Sequence, residues 1–331
     1  MVKIIAEIGM NHDGSIGQAK AFIKAAADCG VDSIKFQTHI ADAETLLNAP
    51  RPKYFQDESR YDYFKRTAFS AEQHKDLKSY AESLKVEFIS SPFSMEAIDL
   101  LIGIGVNTLK VPSGEVSNLP YLRYMSKFGK HVLLSSGMSS WSEIKSAYEA
   151  LNQNGTKVTM LQCTSEYPCP PEKAGLNNLK LFKENFSCEV GFSDHTLGSA
   201  AAIVAVTLGA SVIEKHFTVS NDLYGPDAKF SATPIEMKRL VADVRATEKL
   251  ISCIVDKDLA CSELKDMKIT FEKSVVAARD LKVGHLISEK DLVYKKPGNG
   301  INAKDYEKVI GKKIIKIVSA NQKIHWEDIE K

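Results

Sequence analysis

The chain has 331 residues, of which 44% are hydrophobic and 26% charged, a composition that is ordinary for a soluble globular protein. This length accommodates one large domain plus a small one. The formal net charge is +1, so the bulk electrostatics favour neither nucleic acid nor an anionic membrane as a partner.

Neither the N-terminus nor the cysteines indicate export. No stretch approaches the ~20 apolar residues that cross a bilayer. The apolar start of the chain contains Lys3 and Glu7, which predicts a buried strand and not a signal peptide. The six cysteines are scattered without a Cys-x-x-Cys pair, so we expect no structural zinc site and reduced thiols in a cytoplasmic protein.

Short apolar runs alternate with amphipathic stretches over the first three quarters of the chain. Eight strands are predicted, over residues 3–8, 33–37, 86–90, 108–111, 131–135, 157–162, 189–192 and 211–214. Eight helices are predicted, over residues 16–29, 71–84, 95–104, 119–128, 140–152, 176–184, 199–208 and from Pro234 to about 254. This α/β alternation favours a (β/α)8 TIM barrel over a doubly wound open sheet, because no Gly-x-Gly-x-x-Gly motif follows any strand.

A second unit of short strands and turns begins near residue 271. We therefore predict a barrel domain over residues 1–255, a linker over 256–270 and a small β-rich domain over 271–331. The polar composition of the linker is equally consistent with a surface helix.

Polar side chains follow every predicted strand, at the end where parallel α/β barrels build their active sites. Lys35 and Lys110 lie within otherwise apolar strands, and a lysine that points into a barrel mouth is costly unless it meets an anion. Together with strand-end hydroxyls they would suit a phosphate and a carboxylate. The alternative is that each lysine pairs with a neighbouring carboxylate, Glu7 or Glu115. The strand-end hydroxyls that would bind the anion together with the two lysines are those of Ser91, Ser113 and Ser136.

Two histidines, His195 and His216, each follow a predicted strand, and a helix is predicted between the two strands. Neighbouring parallel strands would place both imidazoles side by side, where they could share a divalent metal such as Mn²⁺, Co²⁺, Fe²⁺ or Zn²⁺. The alternative is that they cap or pack the strand ends. His12 and His39 are further candidates for the barrel mouth, either as substrate contacts or as loop residues.

The strand-end segments, in their order along the chain, carry a family resemblance. They are residues 6–15, 35–39, 90–94, 110–115, 134–138, 163–168, 192–196, 214–218 and 225–227, with Lys-Pro-Gly-Asn-Gly at 296–300. Together they resemble the N-acetylneuraminate (sialic acid) synthase family, which includes legionaminate and pseudaminate synthases. The last segment is similar to that family's C-terminal antifreeze-like (SAF) domain. The resemblance covers essentially the whole chain.

The resemblance implies a reaction in which phosphoenolpyruvate condenses with an N-acetylated amino-sugar aldehyde, either N-acetylmannosamine or a 2,4-diacetamido hexose, and phosphate is released. It implies that His195 and His216 hold a metal, typically Mn²⁺, and that Glu115 acts as acid or base, with Glu7 and Lys110 as further catalytic groups. The substrate-binding residues that it implies are Lys35, Gln37, Ser91, Ser113, Ser136, Ser165, Tyr167, Ser193, Asp227 and Lys296. It also implies a homodimer in which the tail domain lies over the partner's barrel and Lys296 acts across the dimer.

Three features depart from the pattern of a strict sialic acid synthase. Ser165 stands where those enzymes carry Asn, as in relatives that make legionaminic or pseudaminic acid. Lys296 replaces an Arg, which keeps the charge but loses the bidentate fork. The segment 51–66, with Arg51, Lys53, Arg60, Tyr61 and Tyr63, follows the second strand, where sugar specificity can be set. These departures concern the identity of the sugar and not the reaction.

Two other functions compete with this hypothesis. One is an eight-carbon keto-acid synthase that uses a phosphosugar, although such enzymes need no antifreeze-like tail. The other is a non-catalytic carbohydrate-binding barrel, which would have no reason to retain both lysines, both histidines and Glu115. Phosphate release from phosphoenolpyruvate with a free or a phosphorylated sugar discriminates between all three.

Overall fold

The computed structural model describes residues 1–50 and 58–331. The chain forms two compact units, Met1–Ser252 and Cys253–Lys331. Within the described ranges, no helix has both the length and the apolar composition that a membrane crossing requires.

The first unit is a closed barrel of eight parallel strands that pair in sequence order, β8 returning to β1. The strands are β1 (Lys3–Gly9), β2 (Ser33–Thr38), β3 (Glu87–Pro92), β4 (Thr108–Val111), β5 (His131–Ser135), β6 (Val158–Cys163), β7 (Glu189–Asp194) and β8 (Val212–His216). The predicted barrel is confirmed, and each predicted strand lies within two residues of its observed ends.

Helices surround the barrel and bury an apolar face against the outer side of the strands. Those of the first unit are α1 (Ile16–Asp28), α2 (Ala41–Glu44), α3 (Arg60–Thr67), α4 (Ala71–Ser83), α5 (Met95–Gly103), α6 (Leu119–Ser126), α7 (Trp141–Asn152), α8 (Asn178–Asn185), α9 (Ala200–Thr207) and α10 (Pro234–Ser252). Serine caps start several of them, and Ser70 and Ser140 each form a capping box with the residue three positions on.

Helices α2 and α3 were not predicted. Both lie in the connection from β2 to α4, which the sequence leaves without a clear apolar period. Ser59 caps α3 by accepting a hydrogen bond from the amide of Asp62, and Tyr63 and Phe64 are buried on its inner face. The connection is therefore partly a folded wall beside the barrel mouth.

The second unit pairs two short antiparallel strands, β9 (Ser274–Ala277) and β10 (Leu292–Lys295), around its own apolar core. Its start, predicted as a linker, is largely helical, with α11 (Lys257–Glu263) and α12 (Lys265–Phe271). The buried carboxylate of Asp291 accepts hydrogen bonds from Arg279 at 2.7 Å and from His285 at 2.9 Å. These bonds tie two turns of the unit to the start of β10.

A buried ion pair joins the ends of β7 and β8. Asp194 and Lys215 are register partners, and the ammonium of Lys215 lies 2.7 Å from one carboxylate oxygen of Asp194. Lys215 also donates to the carbonyl of Thr196 at 2.6 Å, while the other oxygen of Asp194 accepts from the amide of Thr196 at 2.8 Å. This ion pair precedes His195 and His216 by one residue on each strand and so fixes the two strand ends to each other.

Lys215→Met leaves the Asp194 carboxylate buried without its counter-charge. We expect the free energy of unfolding to fall by about 3–5 kcal/mol, the range for breaking a buried ion pair from one side. Urea titration measures this loss. The matched control is Lys3→Met, which breaks a partly exposed pair with Glu87 and should cost about 0–1 kcal/mol. Equal losses in the two variants would contradict this account of the ion pair.

Candidate active site

The side chains inside the barrel change from apolar to polar between one inward-facing position of each strand and the next. Five aliphatic side chains fill the interior, those of Ile5, Ile89, Leu133, Leu161 and Val212. Two positions further along the same strands stand Glu7, Ser91, Ser135, Cys163 and Glu214. Side chains repeat every second residue on one face of a strand, so these five also face inward. They form the floor of a polar site at the carboxyl end of the barrel.

Lys35 lies on this floor, and its side chain is buried. Its ammonium is 2.8 Å from a carboxylate oxygen of Glu7 and donates to the hydroxyl of Ser91 at 3.0 Å. A second carboxylate, that of Glu214, is 3.9 Å away. The pairing of Lys35 with Glu7 that the alternative named is therefore present, and the pair belongs to a larger cluster.

Lys110 reaches the same cluster from β4. Its ammonium donates to Glu214 at 2.7 Å, and the hydroxyl of Ser193 donates to the same oxygen at 2.9 Å. Glu115, one of the two carboxylates named in the alternative, lies on a short turn after β4, where its carboxylate accepts from the side chain of Asn118 at 2.9 Å. Lys110 therefore pairs with a carboxylate that the alternative did not name, because strand alternation directs Lys110 inward toward β8.

Glu214 is the residue that joins the two lysines. Burial raises the pKa of its carboxyl, but the charges of Lys110 and Lys35 outweigh burial and lower that pKa to about 2. Burial of the Lys35 amine lowers its pKa, but the carboxylates of Glu214 and Glu7 outweigh burial and hold that pKa above its ordinary value. The cluster thus brings together the side chains of two lysines and two glutamates.

Hydroxyl groups line one side of the floor. The hydroxyl of Ser113 donates to Ser135 at 3.2 Å. Ser136, the predicted site residue, faces the other way, where its hydroxyl accepts from the amide of Cys163 at 3.2 Å. Ser135 therefore takes the place predicted for Ser136 at the barrel mouth.

Gly137 makes room for two of the hydroxyls. A Cβ atom at this position would lie 2.3 Å from the hydroxyl oxygen of Ser113 and 2.4 Å from that of Ser165. No side chain fits at that distance, so only glycine allows both serines to reach this wall. The structure thus brings Ser165 beside Ser113, as expected of a substrate-facing pair.

His195 and His216 lie side by side, with ring centroids 5.4 Å apart. The ring of Tyr167 covers them, with centroids 4.1 Å from His195 and 5.8 Å from His216. A carboxylate oxygen of Asp227 is 3.9 Å from Nδ1 of His216. Adjacent parallel strands thus deliver the two imidazoles to one place, as the sequence predicted.

The two rings differ in protonation. Nδ1 of His195 donates to the carbonyl oxygen of Thr164 at 2.7 Å, since a carbonyl oxygen can only accept. Burial lowers the pKa of His195, but its contact with Cys163 outweighs burial and raises that pKa, so Nε2 offers a lone pair to a metal only in the neutral ring. Burial lowers the pKa of His216 and keeps its ring neutral, and its Nδ1 is buried without a hydrogen-bond partner among the described residues. The part of the chain that the structure describes contains no group of three or more His, Cys, Asp or Glu arranged around a metal position. Two ring nitrogens are one fewer than the three protein ligands of a common catalytic zinc site, so a metal held here would take its remaining ligands from water and substrate.

The two other candidate histidines are buried. His12 stacks on Phe69 with ring centroids 4.4 Å apart, and burial lowers its pKa to about 3. His39 bonds to Gln37, whose amide in turn donates to Glu7 at 3.1 Å. His12 is thus a packing residue of the loop after β1, while His39 is connected to the site.

Two further predicted determinants are Lys296 and the segment that follows β2. Lys296 belongs to the second unit, where its ammonium lies 5.1 Å from the ring centroid of Phe271. Arg51 and Lys53, in the predicted specificity loop, lie outside the described residues. In the rest of that loop, Arg66 pairs with Glu58 at 2.6 Å and with Asp13 at 2.8 Å. These pairs join α3 to the loop after β1.

Sequence reasoning missed Ser135, Cys163 and Glu214 as inward-facing residues. The signal was available, because each lies two positions beyond an apolar residue of the same strand. Burial raises the pKa of the Cys163 thiol, but its contact with His195 and the charge of Lys110 outweigh burial and lower that pKa to about 7. Counting alternate positions from the apolar run would have placed all three in the site.

Comparisons with known proteins agree with this geometry. The model of the NeuB family matches residues 22–255, and that of the SAF domain matches residues 272–330. The chain is 40% identical to the N,N'-diacetyllegionaminic acid synthase of Campylobacter jejuni, over 93% of this chain and 94% of that protein. It is 30% identical to the pseudaminic acid synthase of Helicobacter pylori, over 99% and 98%. The crystal structure of the N-acetylneuraminic acid (sialic acid) synthetase from Leptospira borgpetersenii matches with a TM-score of 0.70 and 29% identity, covering 80% of this chain and 90% of that one.

Glu214→Gln should change how stability depends on pH. A carboxyl whose pKa is lowered on folding stabilises the protein above its unfolded pKa, and this contribution is lost as the pH falls toward the folded value of about 2. The wild type should therefore exceed the variant in free energy of unfolding by a margin that shrinks as the pH falls from ~5 to ~2.5. Urea titrations across this range measure the margin. A margin that stays constant would contradict the charged cluster.

Proposed function

The chain belongs to the NeuB family, and on that premise we propose that it condenses phosphoenolpyruvate with an N-acetylated amino-sugar aldehyde and releases phosphate. The product is a nine-carbon 2-keto acid of the sialic acid type. The proposal assigns phosphoenolpyruvate to the floor of the barrel and the sugar to the wall formed by Tyr167, Ser165 and Asp227.

One observation carries the proposal, namely the unused donors of the two buried lysines. Each ammonium has three N–H donors. Among the described residues, Lys35 has two partners within hydrogen-bond distance, Glu7 and Ser91, and Lys110 has one, Glu214. Three charged donors thus remain at a mouth lined with hydroxyl groups, which is what a substrate with both a phosphate and a carboxylate requires.

The proposed reaction begins when the C3 carbon of phosphoenolpyruvate attacks the aldehyde carbon, and the aldehyde oxygen takes up a proton. Positive charge is left at C2, where water adds and gives up a proton to Glu115. The bond from C2 to the phosphate oxygen then breaks with its electron pair on the phosphate, and the hydroxyl at C2 gives its proton to the departing phosphate, which leaves the keto group. Lys35 and Lys110 stabilise the negative charge of the phosphate and carboxylate throughout.

We propose a divalent metal, most simply Mn²⁺, at His195 and His216. Two observations support this assignment. Nδ1 of His195 is bound to Thr164, which leaves Nε2 as the nitrogen of that ring for a metal, and Nδ1 of His216 is buried without a hydrogen-bond partner among the described residues. When bound, the metal would supply Lewis-acid polarisation of the aldehyde oxygen. Tyr167 covers both rings and restricts the access of bulk water to them.

For the sugar we propose a 2,4-diacetamido hexose, as in legionaminate-type synthesis. The side chain of Ser165 is shorter than the Asn of sialic acid synthases and leaves room for a second acetamido group. The similarity to N,N'-diacetyllegionaminic acid synthase supports the same choice. The homodimer, the action of Lys296 across it and the cytoplasmic location stay predictions.

A panel of sugars tests the substrate. We expect phosphate release from phosphoenolpyruvate with a 2,4-diacetamido hexose, and a kcat/KM at least about tenfold higher than with N-acetylmannosamine. Product masses identify the acid formed. Ser165→Asn should narrow this preference, because the larger side chain fills the room for the second acetamido group. Turnover of a phosphosugar alone would favour the eight-carbon synthase, and no release with any sugar would favour a binding protein.

His195→Ala and His216→Ala test the metal. Each should lower metal-dependent turnover by more than about a hundredfold, because each removes one of only two protein ligands. Binding of Mn²⁺ to the metal-stripped proteins, followed by the electron paramagnetic resonance of free Mn²⁺, gives a readout that does not depend on turnover. His131→Ala is the matched control, because His131 begins β5 at the end of the barrel away from the proposed site. Full turnover by either alanine variant in metal-stripped buffer would overturn the assignment.

A further inference from the structure

His39 is a buried histidine at the edge of the proposed site that the reaction does not use. It directly follows β2, and its side chain is only 1% exposed. Its ring lies between two phenylalanines, with centroids 3.8 Å from Phe64 and 4.1 Å from Phe93, and it is almost parallel to both. Packing alone would be served by any flat ring, so the polar contacts of His39 require their own explanation.

Both ring nitrogens of His39 have partners. Nδ1 is 2.7 Å from a carboxylate oxygen of Glu44, the last residue of α2. Nε2 is 3.1 Å from the side-chain oxygen of Gln37. The amide nitrogen of Gln37 then donates to Glu7 at 3.1 Å, and Glu7 pairs with Lys35. A continuous chain of contacts therefore runs from Glu44 into the charged floor.

The direction of each hydrogen bond follows from which groups can donate. An ionised carboxylate only accepts, so Gln37 must turn its NH₂ group toward Glu7 and its oxygen toward His39. An amide oxygen also only accepts, so Nε2 of His39 must carry a proton. Glu44 occupies Nδ1 on the other side of the ring, so Gln37 is the partner that Nε2 serves.

We infer that His39 is a positioning residue, whose Nε2–H holds the Gln37 amide in the orientation that the sugar meets. The inference rests on the proposed condensation. Gln37 is only half-buried, and one of its two amide hydrogens is taken by Glu7. The other hydrogen is left for a substrate oxygen. If Nε2 lost its proton, the amide of Gln37 would flip and present its oxygen to Glu7 and to the sugar. That oxygen would repel the carboxylate of Glu7, and it could not donate a hydrogen bond to the sugar.

Two substitutions of His39 separate positioning from packing. The amide nitrogen of Gln takes roughly the place of Nε2, while that of Asn takes roughly the place of Nδ1. His39→Gln therefore keeps the donor to Gln37, and His39→Asn keeps only the link to Glu44. We expect the kcat/KM for the amino sugar to fall at least about tenfold in His39→Asn and to stay within about threefold of the wild type in His39→Gln. The KM for phosphoenolpyruvate should stay within about threefold in both, because Lys35 keeps Ser91.

Both variants remove the same stacked ring, so a packing role predicts equal losses in the two. Equal losses, or no loss in either, would overturn the inference. Thermal unfolding midpoints show whether the two variants are comparably folded. A wild type that releases no phosphate would instead sink the proposed function.

The proton on Nε2 is also measurable without turnover or variants that must fold. In the wild-type protein labelled with ¹⁵N-histidine, long-range ¹H–¹⁵N spectra in Mg²⁺ buffer distinguish protonated from unprotonated ring nitrogens. We expect His39 to show a protonated Nε2 at neutral pH. An unprotonated Nε2 would overturn the inference whether or not the enzyme is active.

Discussion

The burial of four charges in one barrel is the constraint on which the rest of the mouth depends. An isolated ion in a protein interior costs several kcal/mol, and mutual attraction repays this only when the geometry is good. Lys35, Lys110, Glu7 and Glu214 come from four different strands, so the barrel must hold its strand ends in fixed register to keep them paired. The rigid barrel and the charged floor therefore require each other.

The neutrality of this floor has a consequence for binding. Two ammonium groups and two carboxylates carry no net charge, so the empty site does not repel itself. Under the proposed function, a substrate anion would compete with Glu7 and Glu214 for the lysines and would bind through their unused donors. The overall net charge of +1 fits this picture, because recognition is local.

The fold was predictable because β-period and α-period segments alternate along the chain without interruption in most of the barrel. The exceptions show what a single sequence omits. Helix α3 has few apolar residues and is specified by the Ser59 cap and by the burial of Tyr63 and Phe64 against neighbours distant in sequence. Helices α11 and α12 have no fully buried residue, so no apolar stripe indicated them.

The site was predictable where a residue's strand position alone decides its place, as for His195, His216 and Lys35. It was not predictable where partner choice depends on the curvature of the closed barrel. Lys110 meets Glu214 across the interior, 104 positions along the chain, and not Glu115 five positions away. Ser136 differs from Ser135 by one residue, yet that single step reverses the face of the strand. The closure of the barrel, and not the spacing of residues along the chain, determines which side chains meet in these cases.

The ion pair of Asp194 with Lys215 has an evolutionary consequence. Each residue is adjacent to a histidine of the site, and each would become an uncompensated buried charge without the other. A lineage that loses one of them gains by losing the second, and stands at a disadvantage in between. The two positions should therefore be inherited as one unit.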